Sequence, residues 1–162
     1  MEHLWAPWRN LYVKDSQKHE GNIFAEIAQS TDDETHHVLA RGKSCFAILN
    51  LYPYNTGHLM IIPYRVTGAL EDLADDELLE MMTMLKRMKA AVTAAFQPHG
   101  FNVGINLGSA AGAGIEQHLH IHLVPRWRSD ANFMTTIADT RVHPSELREV
   151  YVAIRKQLQA DF

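Results

Sequence analysis

A chain of 162 residues that is 46% hydrophobic and 21% charged has ordinary globular composition, which excludes a disordered polyelectrolyte. Its formal charge of −4 excludes a general electrostatic affinity for nucleic acid or anionic lipid, both of which need clustered Lys and Arg. Cys45 is the single cysteine, so no intrachain disulfide and no cysteine-built metal site can form. A reducing, cytoplasmic setting is expected, and no apolar run of export or membrane-spanning length is present in the sequence. The length suits a single domain over residues 1–162.

Along the chain, a short helix is expected from Ile23 to Ala28, followed by an acidic, polar connection over Gln29 to His37. Apolar runs at Cys45 to Leu49 and His58 to Ile62 have strand character. From Asp75 to Gln97, apolar residues at Leu78, Met81, Met82, Leu85, Met88, Val92 and Phe96 recur every three or four positions, the mark of an amphipathic helix. Asp75, Asp76 and Glu77 suit its positive end, Pro98 and Gly100 stop it, and methionines at this spacing read as core filling. A third strand is expected over Phe101 to Leu107. A second packing helix should run from an N-cap at Ser145 to about Gln159, with Leu147, Val150, Ile154 and Leu158 on one face.

The most informative segment is His118-Leu-His-Ile-His-Leu-Val124. Strict alternation on a strand puts three imidazoles on one sheet face and Leu119, Ile121 and Leu123 on the other, where they can pack on the long helix. Next neighbours among the histidines then lie within roughly 7 Å of one another. Three adjacent cations repel, so at least one ring stays neutral near pH 7 and can serve as base, ligand or nucleophile. The rival is metal binding, since His-x-His on a strand can chelate zinc and Glu116 falls on the same nominal side. Directly before the strand, Asn106 to Gly114 forms a small-residue loop whose exposed amides could approach phosphate oxygens.

The segment from His118 to Val124 resembles the signature of the histidine-triad (HIT) family, His-x-His-x-His-x-x with apolar x. The similarity extends to Asn50-Leu-Tyr-Pro-Tyr-Asn-Thr-Gly-His58-Leu-Met-Ile-Ile-Pro63 and to Pro125-Arg126-Trp127. The segments Leu4 to Arg9, Asn50 to Arg65, Pro98 to Gly104 and Asp130 to Phe133 look like the bacterial diadenosine tetraphosphate phosphorylase group. The diadenosine triphosphate hydrolase Fhit is a more distant match. The resemblance implies an α+β fold: a twisted, mainly antiparallel sheet with one long helix across it and a C-terminal helix. It also implies a homodimer.

The implied function is cleavage of dinucleoside polyphosphates by nucleotidyl transfer to phosphate or water, with phosphate favoured. His120 would be the nucleophile. His122 would donate to phosphate oxygens, and His58 and His118 would support the orientation and protonation of the cluster. Asn50 would hold the ribose hydroxyls and Ile48 would line the base pocket. Asn106 matches a position where Fhit carries Gln near the phosphates, and Gly114 one where Fhit carries Gln and the phosphorylase group Ser, so Gly114 bears on acceptor choice. Zinc-bearing members carry Cys-x-Phe-Cys where this chain has Asn22-Ile-Phe-Ala25, and a further His where it has Val66. No structural zinc and no covalently bound cofactor are therefore expected. The expected partners are a nucleotide and inorganic phosphate. Rival functions are an Fhit-like hydrolase, a Hint-like nucleoside phosphoramidase, and a non-catalytic nucleotide sensor.

Overall fold

The computed structural model describes residues 21–128, 130 and 146–160. Helix α1 (Ile23–Gln29) starts where Asn22 turns its side-chain oxygen onto the amides of Phe24 and Ala25. Strands β1 (Val38–Arg41), β2 (Cys45–Leu49) and β3 (Leu59–Pro63) follow, then helix α2 (Asp75–Phe96). Strands β4 (Gly100–Ile105) and β5 (Ile121–Arg126) and helix α3 (Leu147–Ala160) complete the order. The five strands form one antiparallel sheet in the order β1-β2-β3-β5-β4. This is the α+β architecture expected from the sequence.

Helices α2 and α3 cover one face. Met81, Met84, Leu85, Met88 and Val92 of α2, with Val150, Ile154 and Leu158 of α3, pack on Ala47, Leu59, Ile61, Leu119, Ile121 and Leu123. Phe24 and Ile27 of α1 pack on the opposite face, against Phe46, Ile48, Met60 and Ile62. Both faces of β2 and β3 are therefore buried, which is why these strands read as unbroken apolar runs.

Three local expectations are corrected. The helix periodicity counted Met82 as inward, but it is 51% exposed and Met84 is buried instead, because the stripe follows Met81, Met84/Leu85, Met88 and Ala91/Val92. Strand β1 was not expected: four residues after His37, whose φ is +56°, are too few to show a pattern. Helix α3 secures this edge strand, with Tyr151 donating its hydroxyl to the Val38 carbonyl and Arg155 donating to that of Leu39.

The third correction concerns the histidine strand. Its ladder begins at Ile121, opposite Ile61 and Ile105, rather than at His118. Pro63 at the end of β3 has no N–H to extend the ladder. Residues 118–120 are held instead by bonds from His118 N to the Ile115 carbonyl and from Leu119 N to the Thr67 carbonyl, at 3.2 and 2.7 Å. The alternation nevertheless persists, with the leucines and isoleucine in the helix-covered core and the rings of His118 and His120 facing α1.

Helix α2 ends as its sequence dictates: Gln97 adopts a left-handed conformation at φ 48°, and Pro98 follows. The expected N-cap at Ser145, and the segments Leu4 to Arg9 and Ala131 to Phe133, lie outside the described residues. No helix among the described residues is long and apolar enough to cross a membrane.

Candidate active site

The site lies on the sheet face covered by α1, at the approach to β5. Its chemistry follows from where each ring proton must sit. Nδ1 of His120 is 2.9 Å from the carbonyl oxygen of His118. A carbonyl can only accept, so Nδ1 carries the proton and the neutral ring keeps its lone pair on Nε2. Burial pushes the pKa of His120 below the usual histidine value, the carbonyl bond opposing only in part, so the ring is neutral near pH 7.

A second relay fixes His122. The backbone amide of Tyr54 donates to Nδ1 of His58 at 3.0 Å, which sets the His58 proton on Nε2. Nε2 lies 3.0 Å from Nδ1 of His122, so His58 donates and His122 accepts. His122 in its neutral form must then carry its own proton on Nε2, as a donor. The rings of His120 and His122 meet edge to face with centroids 4.8 Å apart. Tyr54 stacks on His58 at 4.7 Å and keeps the relay aligned.

His58 and His118 are wholly buried behind this pair. Burial, and then the neighbouring His120, push the pKa of His118 down, against the bond to the Pro63 carbonyl. Phe24 of α1 sets its ring edge-on against His118 and His120, with centroids 5.6 and 5.3 Å away.

His120 and His122 open into a concave, mainly apolar cleft with a few polar groups at one end, the general character of a small-molecule site. Its walls are apolar where Ile23, Phe24 and Ile27 of α1 face Ile48 and Met60 of the sheet. Its polar end gathers Asn50, Asn106 and the two histidines, with Gly112 and Gly114 alongside. Asn50 is oriented by the Tyr52 amide, which donates to its Oδ1 at 2.9 Å and leaves its NH2 3.5 Å from Nε2 of His58. In the small-residue loop, Gly108 and Gly112 take φ values of +79° and +89°, a conformation that glycine adopts without strain.

The structure therefore brings Ile48, Asn50, Asn106, Gly114, His120 and His122 together around one cleft and puts His58 and His118 behind it. Sequence reasoning gave no role to Tyr54, Phe24 or Asn22. Tyr54 lies inside the Asn50 to Pro63 motif, and the N-cap pattern before Ile23 marks Asn22. Neither signal points to a histidine. Asn22 and Ala25, which stand where zinc-bearing members carry cysteine, offer no thiolate, and Asn22 Oδ1 is taken up by α1 and His118. No group of three or more His, Cys, Asp or Glu among the described residues is arranged to hold a metal ion.

The HIT domain family matches residues 31–129, a span that contains the sheet, α2 and all four site histidines. The chain belongs to the histidine-triad family. Among its HIT relatives, the AP-4-A phosphorylase of Mycobacterium tuberculosis is 45% identical over 157 residues, covering 92% of this chain and 80% of that one. An asymmetrical bis(5'-nucleosyl)-tetraphosphatase of Schizosaccharomyces pombe is 33% identical over 93 residues, covering 57% of this chain and 50% of that one. Among solved HIT structures, a zinc-bound histidine triad protein from Mycobacterium smegmatis superposes with a TM-score of 0.69 at 25% identity, covering 86% of this chain and 94% of that one.

Proposed function

We propose that this HIT chain cleaves dinucleoside polyphosphates by nucleotidyl transfer through His120, with inorganic phosphate as the preferred acceptor. The observation that carries the reading is the bond from His120 Nδ1 to the His118 carbonyl, which leaves the Nε2 lone pair on a ring lining the cleft. Nε2 attacks the α-phosphorus, an N–P bond forms, and the bond to the bridging oxygen breaks with release of the nucleoside polyphosphate. The ring becomes cationic in this step, and its Nδ1–H bond to the carbonyl stabilises that charge. His122 lines the same cleft and supplies an N–H donor for the phosphate oxygens on which charge grows. Phosphate or water then displaces His120 and restores the neutral ring.

The apolar wall around Ile48, Phe24 and Ile27 suits a base, and Asn50 suits the ribose hydroxyls. Phosphate is favoured as acceptor because Gly114 adds no side chain to the polar end of the cleft, where a Gln would crowd a tetrahedral anion. Similarity to a relative named AP-4-A phosphorylase supports the same choice.

Diadenosine tetraphosphate incubated with excess phosphate should yield ADP and ATP, and without phosphate AMP and ATP. Gly114→Gln should move the product ratio towards AMP. AMP without ADP in abundant phosphate would replace the phosphorylase reading with a hydrolase, and no turnover in either condition would leave a nucleotide sensor.

The working unit of this reading is a single domain over residues 1–162 that pairs as a homodimer. Edge strand β4 is well exposed over Asn102 to Gly104, with Val103 53% exposed, and suits pairing with a second copy. The lone buried thiol of Cys45 suits the reducing cytoplasm.

A further inference from the structure

Asn22 joins two parts of the molecule that lie far apart in sequence. Its Oδ1 accepts from the backbone amides of Phe24 and Ala25, at 3.1 and 3.2 Å, and so caps α1. The same oxygen lies 3.1 Å from Nδ1 of His118. The other ring nitrogen of His118, Nε2, lies 2.8 Å from the carbonyl oxygen of Pro63.

Both ring nitrogens of His118 thus face oxygen. The Pro63 carbonyl asks for a proton on Nε2, and the Asn22 oxygen asks for one on Nδ1. Turning the Asn22 amide over would offer its NH2 to His118 but would set that NH2 against two backbone N–H donors at the start of α1. With the oxygen committed, Asn22 Nδ2 is buried with no hydrogen-bond partner among the described residues. One oxygen therefore serves both the helix and the histidine, at the expense of the other half of the amide.

His118 reaches the nucleophile through its backbone, because its carbonyl holds Nδ1–H of His120. Phe24, in the turn that Asn22 caps, packs on the rings of both histidines. The two oxygens draw His118 towards double protonation, while burial and the repulsion that a second imidazolium at His120 would add draw it away. His120 is the titratable neighbour acting on this ring; α1 presents Phe24 and the end of β3 presents the Pro63 carbonyl.

We propose that Asn22 is a positioning residue of the reaction: by holding Nδ1 of His118 and the N-terminus of α1 with one oxygen, it fixes the segment that aims Nε2 of His120 into the cleft. The kinetic part of this inference rests on the nucleotidyl-transfer reading, and the structural part does not. Asn22 does not line the cleft, so its effect falls on kcat rather than on KM.

Asn22→Ser and Asn22→Asp separate the two duties. Serine caps a helix about as well as asparagine but is too short to reach His118, whereas aspartate offers an oxygen to each. Asn22→Ser should lower kcat roughly ten- to a hundredfold, the scale of a small misplacement of reacting groups. KM should change less than about threefold and the fold should be kept. Asn22→Asp should restore most of kcat and, through its negative charge, move the acid limb of the pH–rate profile upward. Nitrogen-15 NMR of the ring should show the His118 Nδ1 signal shifted in Asn22→Ser and the His122 signals unmoved.

Native kcat together with unchanged His118 signals in Asn22→Ser would overturn the proposal. If the unmodified protein turns over no dinucleotide, the functional reading fails, and the ring signals still decide whether Asn22 holds His118.

Discussion

Gly68 offers a severe test of how the histidine segment is held. A Cβ added there overlaps the carbonyl oxygen of Glu116 and lies 3.3 Å from its carbonyl carbon and 3.5 Å from the Gln117 Cα, all backbone atoms. Neither side yields easily. Thr67 is tied through its hydroxyl to Asp72 at 2.6 Å and through its carbonyl to Leu119 N at 2.7 Å, so a displacement of residues 67–68 is passed directly to residues 118–120. Relieving the overlap requires a shift of about 1 Å, which costs on the order of a hundredfold in rate when reacting groups move with it. The accompanying overpacking costs about 1–3 kcal/mol. For a chain of this size that lowers the thermal midpoint by roughly 2–12 °C. Gly68→Ala should therefore show both losses when kcat on diadenosine tetraphosphate and the unfolding midpoint are measured side by side. Gly100→Ala is the matched control, because a Cβ there meets nothing within 4 Å, and it should be silent in both assays. Gly68→Ala retaining kcat within about threefold of the native value would show that the Thr67–Leu119 contact does not position His120.

Three further outcomes follow from the titrating groups. Burial holds His118 and His120 below the usual histidine pKa of about 6.5, so the acid limb of kcat/KM should fall below that pH, and a limb at 7 or above would contradict a buried neutral nucleophile. In that window the unfolded chain takes up protons that the folded chain does not. Folding stability, followed by denaturant titration, should therefore fall as pH drops below about 6.5 and keep falling until the folded-state pKa values are reached, whereas a flat profile would contradict the shift. Burial, with a smaller push from Glu80, raises the Cys45 thiol to about 12, so a thiol-reactive disulfide should leave the native protein unlabelled at pH 8 and react once it is unfolded. Rapid stoichiometric labelling of the native state would contradict the burial of Cys45.

Much of the fold was legible because it rests on local patterns. The span of α2 could be read from a stripe repeated over many turns, and the miscount of Met82 for Met84 arose because both lie in one run where a single position shifts the face by 100°. Alternation over residues 118–124 revealed which side the histidines share, although the ladder itself covers only the later part of that run. Strand β1 was invisible because it is four residues long and is held at the edge by bonds from α3, more than a hundred residues later.

The site divides in the same way. The cleft residues His120, His122, Asn50 and Asn106 were marked by motif resemblance, and the structure brings them together. Their supports were not marked, since Asn22 and His118 are 96 residues apart and the Tyr54 amide acts through its backbone, which no side-chain pattern reports. The proton positions were likewise unreadable. They depend on which ring nitrogen meets a carbonyl and which meets an amide, and only three-dimensional placement supplies that.

Trapping the nucleotide on His120 during turnover is the decisive measurement. The protein is mixed with diadenosine tetraphosphate without phosphate, quenched in base within one turnover to preserve a phosphoramidate, digested and examined by mass spectrometry. An added adenylyl group should appear on the peptide containing His120, located at that residue, removed by a chase with phosphate and absent from His120→Ala. An adenylyl group on another residue, or steady turnover by His120→Ala at more than about a tenth of the native rate, would contradict it.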